Sequence, residues 1–257
     1  MRVLVTLLVA VAMAWPATLN AAEPADGVVL VAGATGRTGR HVVEQLLEQR
    51  HAVRVLSRSE EGARKLFGDR VEVVRGDVRE AATLGPAVAG ARYIVWAVGS
   101  NSRTDPSNSP EAVDYRGVKN LVEAAVAAGG VEHFVLVSSR GVAEPTHPLN
   151  RFANNILLWK GLGENSLRFS GLPYTIVRPG GLTDEPGGRG ILAGTDSSLP
   201  SAMIARADVA RVCVAALGSP AALGKTIALA GDPKGVAPDW PVFFGALPAD
   251  SQVRIGE

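Results

Sequence analysis

The fold is decided by Val28–Arg58, which reads VVLVAGATGRTGRHVVEQLLEQRHAVRVLSR. An apolar run at Val28–Ala32 ends in a turn that contains three glycines. Four apolar residues then follow at the spacing of one helix face: Val42, Val43, Leu46 and Leu47. A second apolar run closes the segment. The order strand, glycine turn, helix, strand predicts a parallel βαβ unit.

This glycine turn predicts a dinucleotide site. Glycines let the turn close tightly, let backbone N–H groups approach a pyrophosphate, and let the helix pack closely on the sheet. The spacing is G-x-x-G-x-x-G rather than G-x-G-x-x-G, so the flanking strand and helix carry the prediction, and a purely structural turn is the alternative. The predicted cofactor-binding residues here are Gly33, Thr35, Gly36, Arg37, Thr38 and Gly39.

The end of the second strand favours NADP(H) over NAD(H). An NAD-preferring site commonly offers a carboxylate to the ribose 2′-hydroxyl at this point, whereas the chain has Leu56-Ser57-Arg58. Guanidinium groups bind phosphate through paired, charge-assisted hydrogen bonds, so Arg58 and Arg37 both suit a 2′-phosphate. The alternative is that both arginines are solvated surface cations.

The alternation of strands and helices continues to about Ala230. Seven candidate strands separated by helices predict a single α/β domain with a doubly wound, parallel, Rossmann-like sheet. Ligands of such sheets bind at the carboxyl ends of the strands, which predicts cofactor contacts after the third and fourth strands. These contacts are Asp77, Val78, Ala97, Val98 and Gly99. Asp77 also suits a helix N-cap, with Glu80 in the capping-box position.

The sequence leaves the roles of two C-terminal segments open. Gly180–Ser201 is rich in glycine, serine and proline and predicts a long loop, either a lid over the nicotinamide half of the site or a mobile surface connection. The tail Gly231–Glu257 carries Trp240, Phe243 and Phe244, which either pack on the body or complete a substrate wall.

The N-terminus has the design of a signal peptide. Arg2 precedes an apolar run at Val3–Trp15, and small residues follow at Ala21 and Ala22. Residues 1–22 are therefore interpreted as an export signal and residues 26–257 as the dinucleotide-binding domain with a small C-terminal substrate-side portion. The alternatives are an uncleaved membrane anchor, or a cytoplasmic protein whose start is assigned too far upstream.

Composition excludes several classes of protein. The 257 residues are 47% hydrophobic and 20% charged with a net charge of +1, which is typical of one globular domain and gives no basic stripe for nucleic acid. The single cysteine, Cys213, has no partner for a disulfide or a metal cluster, and no metal site is expected.

Several motifs together resemble an atypical subgroup of the short-chain dehydrogenase/reductase superfamily, the NmrA-like and biliverdin/flavin-reductase-like NAD(P)-binding proteins. They are GATGRTG at Gly33–Gly39, VDYRGVKNLVEAA at Val113–Ala125, LVSSRG at Leu136–Gly141, SGLPYTIVRPGGL at Ser170–Leu182 and RADVARVCVAAL at Arg206–Leu217. The resemblance spans about residues 28–230. It implies a Rossmann fold with a nicotinamide dinucleotide across the strand ends, and it does not name a substrate.

The resemblance also implies site residues. Ser138 and Ser139 end the fifth strand where the superfamily places a catalytic serine, and Lys160 falls where its active-site lysine lies. Ser138 and Lys160 are thus expected to contact the cofactor, and Ser139 and Lys160 to take part in catalysis. The segment expected near the nicotinamide consists of Pro179, Gly180, Gly181 and Leu182.

The expected acid/base tyrosine is missing. In the Tyr-x-x-x-Lys arrangement it stands four residues before the lysine, yet the residue four before Lys160 is Ile156, and none of Tyr93, Tyr115 and Tyr174 has that spacing to Lys160. A carbonyl that accepts hydride needs a proton from some donor, which puts ordinary ketone chemistry in doubt. His147 is a weaker candidate donor, and Arg178 is interpreted as a cofactor-side or a structural donor.

Three functions remain open. The first is an NADPH-dependent reductase of a small planar or conjugated acceptor of unknown identity, in which the cofactor performs the chemistry. The second is a non-catalytic module that senses NADP(H) or binds a partner, with membrane contact only if the leader is uncleaved. The third, weaker, is a nucleotide-sugar epimerase or dehydratase, which generally needs the missing tyrosine and a larger C-terminal domain.

Overall fold

The computed structural model describes residues 27–102 and 105–251. A central sheet runs through the protein, and a two-stranded sheet lies beside it. The strands are β1 (Val28–Ala32), β2 (Ala52–Ser57), β3 (Glu72–Arg75), β4 (Ala91–Trp96), β5 (His133–Val137), β6 (Tyr174–Pro179), β7 (Leu182–Thr183), β8 (Gly190–Gly194), β9 (Ile204–Ala205) and β10 (Lys225–Asp232).

The central sheet has the order β3-β2-β1-β4-β5-β6-β10-β8. All neighbours are parallel except β8, which pairs antiparallel with β10. The chain moves outward from β1 to β3 and then returns to the other side of β1 as β4. This reversal opens a crevice between the carboxyl ends of β1 and β4, which is where open α/β sheets bind ligands. The predicted α/β, doubly wound, Rossmann-like fold is confirmed.

The sequence reading missed one strand of this sheet. All seven predicted strands are present, and β8 adds an eighth from within Gly180–Ser201, the segment predicted to be a loop. β8 has the sequence GILAG, whose glycines indicate a turn, but pairing with β10 covers the backbone groups that β10 would otherwise leave open at the sheet edge. The same segment contributes β7, which pairs with β9, so it is an ordered connection.

Helices cover both faces of the sheet. They are α1 (Arg37–Glu48), α2 (Glu60–Phe67), α3 (Gly85–Val88), α4 (Val118–Ala128), α5 (Pro148–Phe152), α6 (Ile156–Arg168), α7 (Arg206–Ala216) and α8 (Trp240–Gly245), and a π-helical segment, Glu111–Gly117, leads into α4. One core layer lies under α1 and α7, and it buries the predicted apolar face of α1. The other lies under α3, α4 and α6.

The C-terminal tail packs on the body of the domain. Phe244 of α8 is fully buried and contacts Trp240 and Phe243 edge-on or stacked. Lys225 Nζ at the start of β10 donates hydrogen bonds to the carbonyl oxygens of Phe244 and Leu247, each at 2.6 Å. Of the two roles left open for this tail, these contacts favour packing over a substrate wall.

The predicted leader, residues 1–22, lies outside the described residues and stays a prediction. Among the described residues, no helix combines the length and the apolar character that a membrane crossing requires.

His133 makes the fold sensitive to acid. It is buried on β5, with Nε2 at 2.9 Å from Thr175 Oγ1. The Thr175 hydroxyl donates its only proton to the Ala222 carbonyl oxygen at 2.6 Å, so the His133 Nε2 must be the donor to Thr175. Burial lowers the pKa of His133 from 6.5 to about 4, so the folded protein keeps this imidazole neutral.

We expect acid to destabilise the fold through this residue. Below pH 6.5 the unfolded chain protonates His133 while the folded chain does not, which removes about 1.5 kcal/mol from the free energy of unfolding between pH 6.5 and 5. Above pH 6.5 the contribution is fully present. Urea unfolding across this range would measure it, with His133→Gln as the comparison. Equal pH slopes for the two proteins would contradict the assignment.

Candidate functional site

The glycine turn packs its backbone directly against the end of β4. Gly33 has a φ of +83°, a conformation that favours glycine. A Cβ at Gly33 would lie 2.6 Å from the carbonyl carbon of Ala97 and from the nitrogen of Val98. A Cβ at Gly39 would overlap the carbonyl oxygen of Gly33, because α1 begins directly over the turn. Side chains at either position are therefore incompatible with this turn.

The start of α1 is open to a ligand. Gly36 is its N-cap and has no side chain to bond the helix, and the first backbone bond to the cap runs from Arg40 N to Gly36 O at 3.0 Å. The amides of Arg37, Thr38 and Gly39 therefore have no acceptor inside the helix. Such a helix N-terminus attracts anions through its free N–H groups and its dipole, so the turn fits a dinucleotide pyrophosphate.

A cavity of about 180 Å³ opens beside this turn. Its wall comes from the carboxyl ends of β1, β2, β3 and β4. Nine predicted cofactor-binding residues line it: Gly33, Thr35, Gly36, Arg58, Asp77, Val78, Ala97, Val98 and Gly99. Leu56, Ser57, Gly76 and Asn108 complete the wall. The sequence reading had not singled out Asn108, which lies in the loop after β4.

Paired charges form the rim of this cavity beyond β2 and β3. Asp77 accepts hydrogen bonds from the Arg79 backbone and guanidinium, the shortest at 2.6 Å, so it binds Arg79 rather than capping an α-helix. The hydrogen bond from Arg79 holds the pKa of Asp77 below its usual value. Arg58 Nη1 lies 4.0 Å from Asp105 Oδ2. Arg79 was missed by the sequence reading, although it stands two residues after Asp77 on the same turn.

Arg37 pairs with a carboxylate from the segment after β7, and its predicted contact with a cofactor phosphate stays a prediction. Its Nη1 donates to Asp184 Oδ2 at 3.1 Å, and both side chains are mostly exposed. Asp184 also accepts from the buried Arg206 at 2.6 Å. The segment after β7 is therefore tied across the strand ends to the glycine turn.

The Ser138 side chain forms a hydrogen bond with a buried carboxylate inside the protein. Its hydroxyl donates to Glu164 Oε1 at 2.5 Å, and Glu164 on α6 is fully buried. Arg178 also donates to both oxygens of Glu164, at 2.9 and 2.6 Å, and Arg168 donates to Oε2 at 3.0 Å. Arg178 is therefore a structural donor. Glu164 was missed by the sequence reading because no local pattern marks its partners.

Lys160 is held in a buried ion pair. Its Nζ donates to Asp114 Oδ1 at 2.7 Å, and the Asp114 side chain has no exposed surface. Among the described residues, the second oxygen of Asp114 has no hydrogen-bond partner. Gly163 lets the two helical segments approach, because a Cβ there would overlap the Asp114 carbonyl oxygen. Lys160 and Ser138 lie around one narrow gap beside β4 and β5, too small to hold a water molecule and apart from the cavity beside the glycine turn.

The remaining predicted polar residues make local bonds. The Ser139 hydroxyl donates to the Arg140 carbonyl oxygen at 3.0 Å. His147 accepts a hydrogen bond from Leu149 N and caps α5. Tyr115 and Lys119 do have Tyr-x-x-x-Lys spacing, but Lys119 pairs with Glu123 at 3.7 Å on an exposed helix face. This spacing therefore does not replace the tyrosine missing before Lys160.

The segment after β6 packs against its neighbours mainly through its backbone. Gly180 N donates to Leu229 O at 3.0 Å, and the Gly181 carbonyl oxygen accepts from Ile204 N at 2.8 Å. A Cβ at Gly181 would overlap the Met203 sulfur. Pro179, Gly180, Gly181 and Leu182 thus form a close-packed strip at the carboxyl end of β6, outside the cavity beside the glycine turn.

We expect Gly39→Ala to abolish nucleotide binding, because the added methyl group forces the start of α1 away from the Gly33 carbonyl. Nicotinamide fluorescence on titration with NADPH would measure the loss, and thermal unfolding would report any loss of stability. Gly85→Ala is the control, since a Cβ at Gly85 on α3 meets nothing within 4 Å. Normal binding by the Gly39 variant would contradict the close approach.

Several known proteins are similar to this chain in sequence or in fold. A family model described as NAD(P)H-binding matches residues 33–220. An uncharacterized chloroplastic protein of Arabidopsis thaliana is 42% identical, over 85% of this chain and 74% of its own length. Sanguinarine reductase of Eschscholzia californica is 36% identical, over 81% of this chain and 90% of its own length.

A solved structure from Bacillus halodurans, provisionally described as an NAD-dependent epimerase/dehydratase, superposes with a TM-score of 0.73 at 28% identity. The superposition covers 81% of this chain and 96% of that one. The family match covers the glycine turn, the cavity and the ion pairs of α6. The chain belongs to the NAD(P)H-binding family, as an atypical, NmrA-like short-chain dehydrogenase/reductase.

Proposed function

We propose that this protein is an NADPH-dependent oxidoreductase that transfers hydride to a small planar or conjugated acceptor. The observation that carries the proposal is the cavity at the sheet reversal, which joins the open start of α1 to a wall containing Arg58. The relative named sanguinarine reductase supports a reductase.

The preference for NADPH rests on the charge at the end of β2. Arg58 lies on the cavity wall, and its side chain is 58% exposed, so its guanidinium is accessible to a ligand phosphate. The residues at the end of β2, Ser57 and Arg58, provide no carboxylate to bind a ribose 2′-hydroxyl. A 2′-phosphate would bring two negative charges to this cation, which favours NADP(H).

In this proposal different residues around the cavity bind different parts of the cofactor. Gly33–Gly39 holds the pyrophosphate through backbone N–H groups, with Arg37 at its edge. Asp77 and Val78 border the adenine, and Ala97, Val98 and Gly99 support the middle of the cofactor. The strip Pro179–Leu182 borders the nicotinamide. When bound, the nicotinamide supplies the hydride, so the chain contributes orientation and the exclusion of water.

Lys160 and Ser139 serve the reacting end. The bond from Lys160 Nζ to Asp114 fixes the ammonium group and leaves two of its N–H donors for the nicotinamide ribose, with Ser138 beside it. The Ser139 hydroxyl donates its one proton to the Arg140 carbonyl oxygen, so in this proposal it exchanges that bond for one to the oxygen of the hydride acceptor. No tyrosine stands four residues before Lys160, so we propose an acceptor class that takes its proton from solvent.

One observation favours a second candidate, a non-catalytic module that binds NADP(H). Ser138 and Lys160, two polar side chains beside β4 and β5, are both engaged by buried carboxylates. A site with so few free polar groups also suits binding without turnover.

An acceptor screen distinguishes the two candidates. We expect NADPH oxidation, followed by absorbance, with at least one flavin, quinone or conjugated carbonyl compound, and no oxidation with Gly39→Ala. Tight NADPH binding without oxidation by any of these acceptors would favour the non-catalytic module.

The cofactor preference has its own test. We expect Arg58→Ala to weaken NADPH binding about 10- to 100-fold, because a charge-assisted phosphate contact is lost, and to leave NADH binding nearly unchanged. Arg64→Ala is the matched control, since Arg64 is an exposed arginine paired with Glu60 at 3.0 Å on α2. Titration by nicotinamide fluorescence would measure both. An equal loss for NADPH and NADH would contradict a role at the 2′-phosphate.

A further inference from the structure

The loop after β4 returns to the rim of the dinucleotide cavity and places a carboxylate against two arginines. Asp105 Oδ2 lies 4.0 Å from Arg58 Nη1 and 3.6 Å from Arg79 Nη1. The two guanidinium groups belong to different connections, one after β2 and one after β3. A single carboxylate oxygen therefore serves both cations.

Asp105 is held in this position by its own turn. Its Oδ1 accepts hydrogen bonds from Ser107 N at 2.9 Å and from Ser107 Oγ at 2.6 Å, and its carbonyl oxygen accepts from Asn108 N at 2.9 Å. Arg79 Nη1 donates to the same Ser107 hydroxyl at 2.6 Å. These serine bonds, together with the attraction of Arg79 and Arg58, hold the pKa of Asp105 below its usual value. The carboxylate is therefore ionised at neutral pH.

The four charged side chains at this rim have a net charge of zero. Arg58 and Arg79 carry two positive charges, and Asp77 and Asp105 carry two negative charges. Asp77 is bound to Arg79 by several short hydrogen bonds, whereas Asp105 approaches both guanidinium groups only at 3.6 to 4.0 Å. Asp105 is thus the more loosely paired of the two carboxylates. A second anion between the arginines would meet its negative charge.

We propose that Asp105 is a specificity-determining residue that occupies the position of the cofactor 2′-phosphate and competes with it for Arg58 and Arg79. This inference rests on the proposed NADPH site and adds Arg79 as a second phosphate ligand. A carboxylate and a phosphate offer the same kind of oxygen to a guanidinium group, so one replaces the other. Asp105 lowers the affinity for the 2′-phosphorylated cofactor, and it neutralises the charge of the rim when no phosphate is bound there.

The opposite role for Asp105 predicts the opposite result. If its carboxylate accepted a hydrogen bond from a ribose 2′-hydroxyl, its removal would weaken ligands that lack the 2′-phosphate. The variant Asp105→Asn separates the two roles, because asparagine keeps an oxygen for the bond from Ser107 N and replaces the charged oxygen that faces the arginines by a neutral amide NH2 group.

The test is calorimetric titration of the full chain with 2′,5′-ADP and with ADP, in a buffer free of phosphate. Both probes carry two phosphate groups on adenosine, but only 2′,5′-ADP has one of them at the 2′ position, and neither requires turnover. We expect Asp105→Asn to bind 2′,5′-ADP about threefold to tenfold more tightly and ADP unchanged, as for the removal of one exposed like charge. Asp69→Asn is the matched control, because Asp69 is an exposed carboxylate 3.6 Å from Arg64, and we expect no change with it.

Unchanged 2′,5′-ADP binding by Asp105→Asn, or weaker ADP binding, would overturn the inference while leaving an NADP(H) site intact. If the unaltered chain binds ADP alone and Asp105→Asn gains 2′,5′-ADP, the inference is supported and the proposed NADPH preference fails. If neither protein binds either probe, both proposals fail. Arg79→Ala adds a further check, because loss of the second ligand should weaken 2′,5′-ADP more than ADP.

Discussion

The site depends on one close backbone approach, the contact of the Gly33 turn with the end of β4. No side chain fits there, since a Cβ at Gly33 would lie 2.6 Å from the backbone of Ala97 and Val98. The approach brings the start of α1 to the crevice where the sheet reverses direction. The N-cap Gly36 of α1, the wall at Arg58 and the backbone after β4 meet around one cavity because this turn closes so tightly.

A buried carboxylate organises the other half of the strand ends. Glu164 binds Ser138 directly after β5, Arg178 of β6, and Arg168 of its own helix. A buried charge is stable only when its partners satisfy it, so these elements hold one another in place. The half around the glycine turn is thus built mainly from backbone and glycine, and the half around Glu164 mainly from paired charges. Such a division suits a protein whose cofactor carries the chemistry.

The cations around the cleft are neutralised by carboxylates from distant parts of the chain. Arg37 pairs with Asp184, and Arg58 and Arg79 face Asp105. Exposed ion pairs of this kind contribute little to stability, because water screens them and the side chains lose freedom. Replacing such a partner by a ligand phosphate would therefore cost little of the free energy of folding. We therefore expect the balance of charge at the rim to affect folding little.

The sequence by itself determined the seven parallel strands, the glycine turn and most of the dinucleotide cavity, because strand, turn and helix signals are local and parallel strands end at one edge. Only the tertiary structure decided the partners of the charged residues. Lys160 meets Asp114 across 46 residues and Arg37 meets Asp184 across 147, according to which helices and connections pack side by side. The edge strand β8 likewise formed because β10 offered it backbone partners, which outweighed the turn preference of its own glycines.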